Sequence, residues 1–180
     1  LSIDDRIKVT NSNIGGIYIR NIVFVFLLLL ILVACNPKLD DNVRLATEYL
    51  EDKGYSIESY KEKSTYTLYR ESLIHDVSTW AVQSEKPDPY IGEEIARLKF
   101  TVRNHPLSEF YSSQEGFTDI VQVEVLISKD EVIGGTSVPV GKDLSTPPYS
   151  LDGKLPREVL EKNYTDWYKE WLEKYGGKRS

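Results

Sequence analysis

Histidine is the side chain best suited to acid–base chemistry near neutral pH, and this chain has two, His75 and His105. His75 stands beside Asp76, but adjacent residues on a helix do not share a face, so the pair forms no dyad. His105 precedes Pro106, and that dipeptide reads as an exposed turn. No serine lies in a Gly-x-Ser-x-Gly elbow. For metals there is neither a His-Glu-x-x-His pair nor an Asp-rich calcium loop. The acidic pairs Asp40-Asp41, Glu51-Asp52 and Glu93-Glu94 read as solvated faces. Gly134-Gly135 lacks the lysine–serine signature of a phosphate loop and reads as a hairpin or bulge. Hydrolysis by paired carboxylates needs two acids across a cleft, and 28 Asp and Glu residues nominate no particular pair. The residues therefore call for no catalytic group, no metal and no cofactor.

Two patterns suit binding instead. In "NYTDWYKEWLEKYGG", Tyr164, Trp167, Tyr168, Trp171 and Tyr175 recur at helical spacing and share one stripe. Such a stripe most often docks its helix on a sheet. It can also offer an aromatic surface to a glycan or a partner protein. In "ARLKFTVRN", Arg97, Lys99 and Arg103 share one strand face. They could meet anionic wall polymer or lipid headgroups. The commoner fate is pairing across strands with acids such as Glu124.

The remaining reactive side chain is Cys35, the one cysteine, so no intramolecular disulfide can form. It follows 13 uninterrupted apolar residues, Ile22 to Ala34. As a helix that run spans about 20 Å, short of the roughly 30 Å hydrocarbon core of a bilayer. Its length, the preceding Arg20 and the small Ala34 match a secretory signal. Leu32-Val33-Ala34-Cys35 resembles the lipobox of bacterial lipoproteins. The resemblance implies acylation of the Cys35 sulfur, with chains such as palmitate, and cleavage between Ala34 and Cys35. Two acyl chains anchor stably where one is marginal. Together with "YLEDKGY", "PYIG" and "SLDGK", the chain resembles small exported lipoproteins of Gram-positive bacilli carrying a single domain of unknown function. Position 1 is not methionine, and the leading segment is long and carries Asp4 and Asp5. The first reads as an unusual start codon at Leu1 or as a fragment, the second as a translation start placed too early.

Along the rest of the chain, residues 40–53 read as a helix capped by Asp40 or Asp41 and stopped by Gly54. "YSIESY" and "STYTLYR" read as two strands joined by a turn at Lys61-Glu62-Lys63. Leu73, Ile74, Val77, Trp80 and Ala81 are spaced for a short helix. "SEKPDPYIG" is a proline-punctuated loop. Ala96, Leu98, Phe100 and Val102 alternate with the basic residues, and Val121, Val123, Val125 and Ile127 alternate likewise, as half-buried strands do. Residues 131–139 pair with the latter as a hairpin. "KDLSTPPYSLDGK" reads as loop. Residues 156–175 are helical, with a break near Asn163.

The expected fold is α+β: an antiparallel sheet of about five strands with helices packed on one face, in two layers. Residues 1–34 are the signal peptide, its helix outside the fold. Residues 35–39 are the lipidated cysteine and a tether reaching roughly 15 Å, and 40–177 are a single extracytoplasmic domain. The net charge of −6 argues against nucleic acid, which demands a basic footprint. The expected protein is a lipoprotein held by Cys35 at the outer face of the cell membrane. Its role there is a non-enzymatic binding or interaction module, meeting an envelope protein, a glycan or anionic wall polymer. The alternative is a cell-envelope hydrolase, which an acid facing His75 or His105 in a pocket would favour.

Overall fold

The structure, a computed structural model, describes residues 40–177. The expected signal peptide, the expected cleavage and lipidation residues Ala34 and Cys35, and the expected tether lie outside the described residues. Helix α1, Asp41–Asp52, is capped by Asp40, whose carboxylate accepts from the Asn42 N–H at 2.9 Å. It buries Val43, Ala46 and Leu50. Gly54, at φ +82°, ends it. There the Gly54 N–H donates to Glu51 O and the Tyr55 N–H to Leu50 O, a closure that needs the left-handed residue.

Strand β1, Ser56–Thr67, runs without interruption where a turn at Lys61-Glu62-Lys63 was expected. Two register shifts, between Ile57 and Ser59 and between Tyr60 and Glu62, absorb irregularities as bulges. The polar triplet tolerates a strand because β1 is an edge, open to water on one side. Glu62 and Lys63 also find partners there, in Lys99 and Asp40. The helix expected around residues 73–81 is split into a 3₁₀ turn, Arg70–Ile74, and α2, Val77–Trp80. Leu73, Val77 and Trp80 are nonetheless buried. A second 3₁₀ turn, Asp88–Tyr90, sits in the proline loop.

Strand β2, Glu94–Arg103, is followed by α3, Pro106–Phe110. Next come β3, Phe117–Ser128, and β4, Glu131–Gly141. Strand β5, Tyr149–Ser150, occupies part of the segment read as loop. Helices α4, Pro156–Val159, and α5, Tyr164–Tyr175, are divided where a break was expected. Asn163 causes it by capping α5: its side-chain oxygen accepts from the Asp166 N–H at 3.0 Å. The five strands form one antiparallel sheet in the order β1-β2-β3-β4-β5. The fold is α+β.

Alternation decides which residues meet. Leu98, Phe100 and Val102 of β2 and Val121, Val123 and Val125 of β3 face α1 and form the larger core. Ile95 and Leu126 point the opposite way. With Leu68, Leu73 and Trp80 they form a second core on the other face, sealed by Trp171 and Tyr175 of α5. Helical cover is therefore the α1 layer on one face and α5 with its short neighbours over part of the other.

Where β5 stops, a side chain takes over the edge of β4. Gln83, 7% exposed, donates from Nε2 to Gly135 O at 2.9 Å and to Thr79 O at 2.7 Å. Its Oε1 accepts from the Gly135 N–H at 2.7 Å. The amide thus stands in for a strand's peptide group. Gly134 has φ +141°, and a Cβ there would run into Gln83 Oε1. We expect Gly134→Ala to lower stability by about 1–3 kcal/mol in urea unfolding, by breaking this clasp. Combined with Gln83→Ala, it should cost less than the sum of the two changes, because the clasp is lost only once while the backbone strain of Ala at φ +141° remains. Full additivity would mean that the clasp does not couple the two sites.

Candidate functional site

The two histidines have opposite environments. His75 is exposed. His105, expected in an exposed turn, is instead 2% exposed. Its Nδ1 accepts from the Leu107 N–H at 3.1 Å and caps α3. The proton therefore sits on Nε2, which donates to Leu151 O at 3.0 Å. Tyr55 packs on the ring at 4.7 Å and sends its own hydroxyl to Leu151 O at 2.9 Å. Burial pulls the His105 pKa down to about 4, against smaller opposing contributions from Leu151 and Asp152. Both nitrogens are committed to backbone, so His105 acts as a staple between α3 and the segment after β5. The turn reading failed because Leu151, 46 residues away, supplies the second partner.

The basic strand face is neutralised residue by residue. Arg97 lies 3.2 Å from Glu124, the partner foreseen in the sequence, and over the Tyr66 ring at 4.9 Å. Lys99 pairs with Glu62 at 2.5 Å, and its ammonium holds the Glu62 carboxyl below its usual pKa. Arg103 lies between Glu58 and Asp119. Each positive charge on this face already has a carboxylate beside it.

The aromatic stripe of α5 divides. Trp171 and Tyr175 are buried. The Trp171 N–H donates to Leu73 O at 3.0 Å, and the Tyr175 hydroxyl to Asp88 at 2.8 Å. Lys174 reaches the same Asp88 carboxylate at 2.7 Å. These contacts dock the helix on the two 3₁₀ turns. Tyr164 and Tyr168 stay 43% and 38% exposed, their rings 6.0 Å apart and nearly parallel. Trp167 is half-buried between the two sets, 4.8 Å from Trp171 and 5.8 Å from Tyr164.

Docking leaves a groove of about 360 Å³ between α5, the residues just before it and the turn after α2. Trp80, Trp167, Trp171 and Tyr175 line it. These include all three tryptophans of the chain. The charged lining is Glu85, Lys86, Glu161, Lys162, Glu170 and Lys174. Lys162 is held on both oxygens of Glu170 at 2.7 and 2.8 Å. Among the described residues, the indole N–H groups of Trp80 and Trp167 meet no acceptor, whereas that of Trp171 does.

Of the residues singled out in the sequence, Trp167 and Trp171 come together in this groove. Tyr164 and Tyr168 continue along α5 outside it, while Arg97, Lys99 and Arg103 belong to the separate β2 face. Sequence reasoning missed Trp80, Lys162 and Glu170 as neighbours of the stripe. The i, i+8 offset of Lys162 and Glu170 spans the cap of α5, where helical spacing rules do not apply. Among the described residues no cluster of three or more His, Cys, Asp or Glu is placed to hold a metal. No helix there is long and apolar enough to cross a membrane. No protein family, curated protein or solved structure matches this chain.

Proposed function

We propose that this protein is a bacterial lipoprotein, anchored through Cys35 at the outer face of the cell membrane, whose domain is a non-enzymatic binding module. The observation that carries the anchor is the run Leu32-Val33-Ala34-Cys35 at the end of 13 apolar residues. The first described helix begins at Asp41, so few residues separate Cys35 from the domain. A tether that short keeps the domain within roughly 15 Å of the headgroups. The binding role draws support from the aromatic groove. The hydrolase alternative draws none from His105, whose nitrogens are both occupied by backbone.

Cys35→Ala tests the anchor. The parent should incorporate labelled fatty acid and partition into the detergent phase, and the variant should do neither. A variant that labels and partitions like the parent would remove the lipoprotein reading. In-cell crosslinking then tests the binding role, by recovery of a specific envelope partner.

A further inference from the structure

We propose that the groove along α5 binds an uncharged glycan strand, with Trp167 as its stacking platform. This rests on the binding-module reading above and names the ligand class of that module.

A sugar ring presents an apolar C–H face and a rim of hydroxyls, each able to donate and accept. A site for it needs an aromatic plane with mixed polar groups around its edge. Trp80 and Trp171, 3% and 7% exposed, make a rigid floor, and half-buried Trp167 leaves part of its ring open above them. Aromatic rings supply large contact area with few rotatable bonds, so little entropy is lost on binding. The indole N–H groups of Trp80 and Trp167 have no acceptor among the described residues. A polyol ligand brings acceptor oxygens of the kind such donors take.

Charge selects against the ionic alternatives. Three lysines and three glutamates line the groove, so it has no net sign. Lys162 is already neutralised by Glu170 and Lys174 by Asp88. A polyanion would meet the carboxylates Glu85 and Glu161 with one uncommitted lysine, Lys86, to offset them. A polyol meets no such repulsion and can bond to both members of an ion pair. The volume of about 360 Å³ falls in the roughly 300–1,000 Å³ range of small-ligand sites. Tyr164, 5.8 Å from Trp167 and inclined 30° to it, carries the aromatic track beyond the groove. That extension suits a polymer more than a single sugar.

Every tryptophan of the chain lines the groove, so intrinsic fluorescence reports on it directly. Full-length protein in detergent is titrated with chitotetraose, with inorganic polyphosphate as the anionic comparison. We expect a saturable emission change with chitotetraose and none with polyphosphate. Trp167→Ala should weaken binding at least tenfold, with its circular dichroism unchanged because the ring is half-exposed. Trp167→Tyr, which keeps a stacking plane, should recover most of the affinity. No response at millimolar chitotetraose, parental binding by Trp167→Ala, or binding of polyphosphate in its place would each overturn the glycan assignment. If crosslinking still recovers a specific partner in those cases, the binding-module reading survives without the glycan. If it recovers none, both fall.

Discussion

Trp171→Ala should destabilise the domain by about 3–5 kcal/mol, measured as a fall in the urea midpoint at constant slope. A loss of that size is a large share of the roughly 5–15 kcal/mol that holds a domain together. Two costs combine. The indole is 7% exposed and packs between Trp167 and Tyr175, at 4.8 and 4.5 Å, so truncation opens a cavity that α5 can only partly close. Its N–H also donates to Leu73 O, a contact that spans 98 residues and leaves a buried carbonyl unpaired when removed. Trp171→Phe separates the two by keeping most of the ring and deleting the donor. It should cost about 1–3 kcal/mol. Were Trp171→Ala to cost less than about 1 kcal/mol, α5 would not be docked as described, and the groove beside it would lose its wall.

The second large effect follows from His105. The domain should lose about 3 kcal/mol of stability as pH falls from 7 to about 4, and His105→Gln should remove that dependence. The sign follows from proton counting. In the unfolded chain a histidine binds its proton near its ordinary pKa of about 6.5. In the fold, burial lowers that value to about 4. Between those pH values the unfolded state holds a proton that the folded state lacks, so acidification favours unfolding. The stabilisation is complete above pH 6.5 or so, and the loss is complete once the folded pKa has been passed.

Three carboxylates are also held below their usual pKa values. Lys63 does this to Asp40 and Lys99 to Glu62. At Asp88 burial pushes the other way, but the hydrogen bonds from Lys174 and Tyr175 together outweigh it. The contribution of all three starts to fall as pH drops through the ordinary carboxylate range of about 4 and is lost below it, so the upper part of the window belongs to histidine. Glutamine can accept from Leu107 and donate to Leu151 without titrating. The comparison therefore rests on the slope of stability against pH, whatever the variant's absolute stability. Parallel curves for parent and variant would show that His105 titrates like an exposed imidazole. A proton NMR titration of the parent should place the His105 midpoint near 4.

The groove and the two cores show how far local pattern reaches. Leu98, Phe100 and Val102, with Val121, Val123 and Val125, were legible because alternating burial is a property of each strand by itself. The cap of α1, its stop at Gly54 and the break at Asn163 were legible for the same reason, since capping involves groups a few residues apart. The strand pair read in residues 55–70 is one strand because "KEK" has no intrinsic preference strong enough to choose between turn and edge. That choice fell to the partner: Glu62 meets Lys99 and Lys63 meets Asp40 only once β2 and α1 are in place. Strand β5 is two residues long and follows from pairing with Thr136 and Ser137.

The proposed anchor at Cys35 rests on the amino-acid sequence alone, since Leu32-Val33-Ala34-Cys35 resembles a linear signal that needs no fold. The sequence also determined the α+β class and the apolar faces of its main strands, because hydrophobic periodicity is local. Tertiary structure alone decided that His105 is a buried neutral staple, that the β2 cations are each matched by an acid, and that Trp80 joins Trp167 and Trp171 around one groove. Each of those facts depends on segments far apart in the chain arriving at a particular register, and register is set by the sum of packing across the sheet.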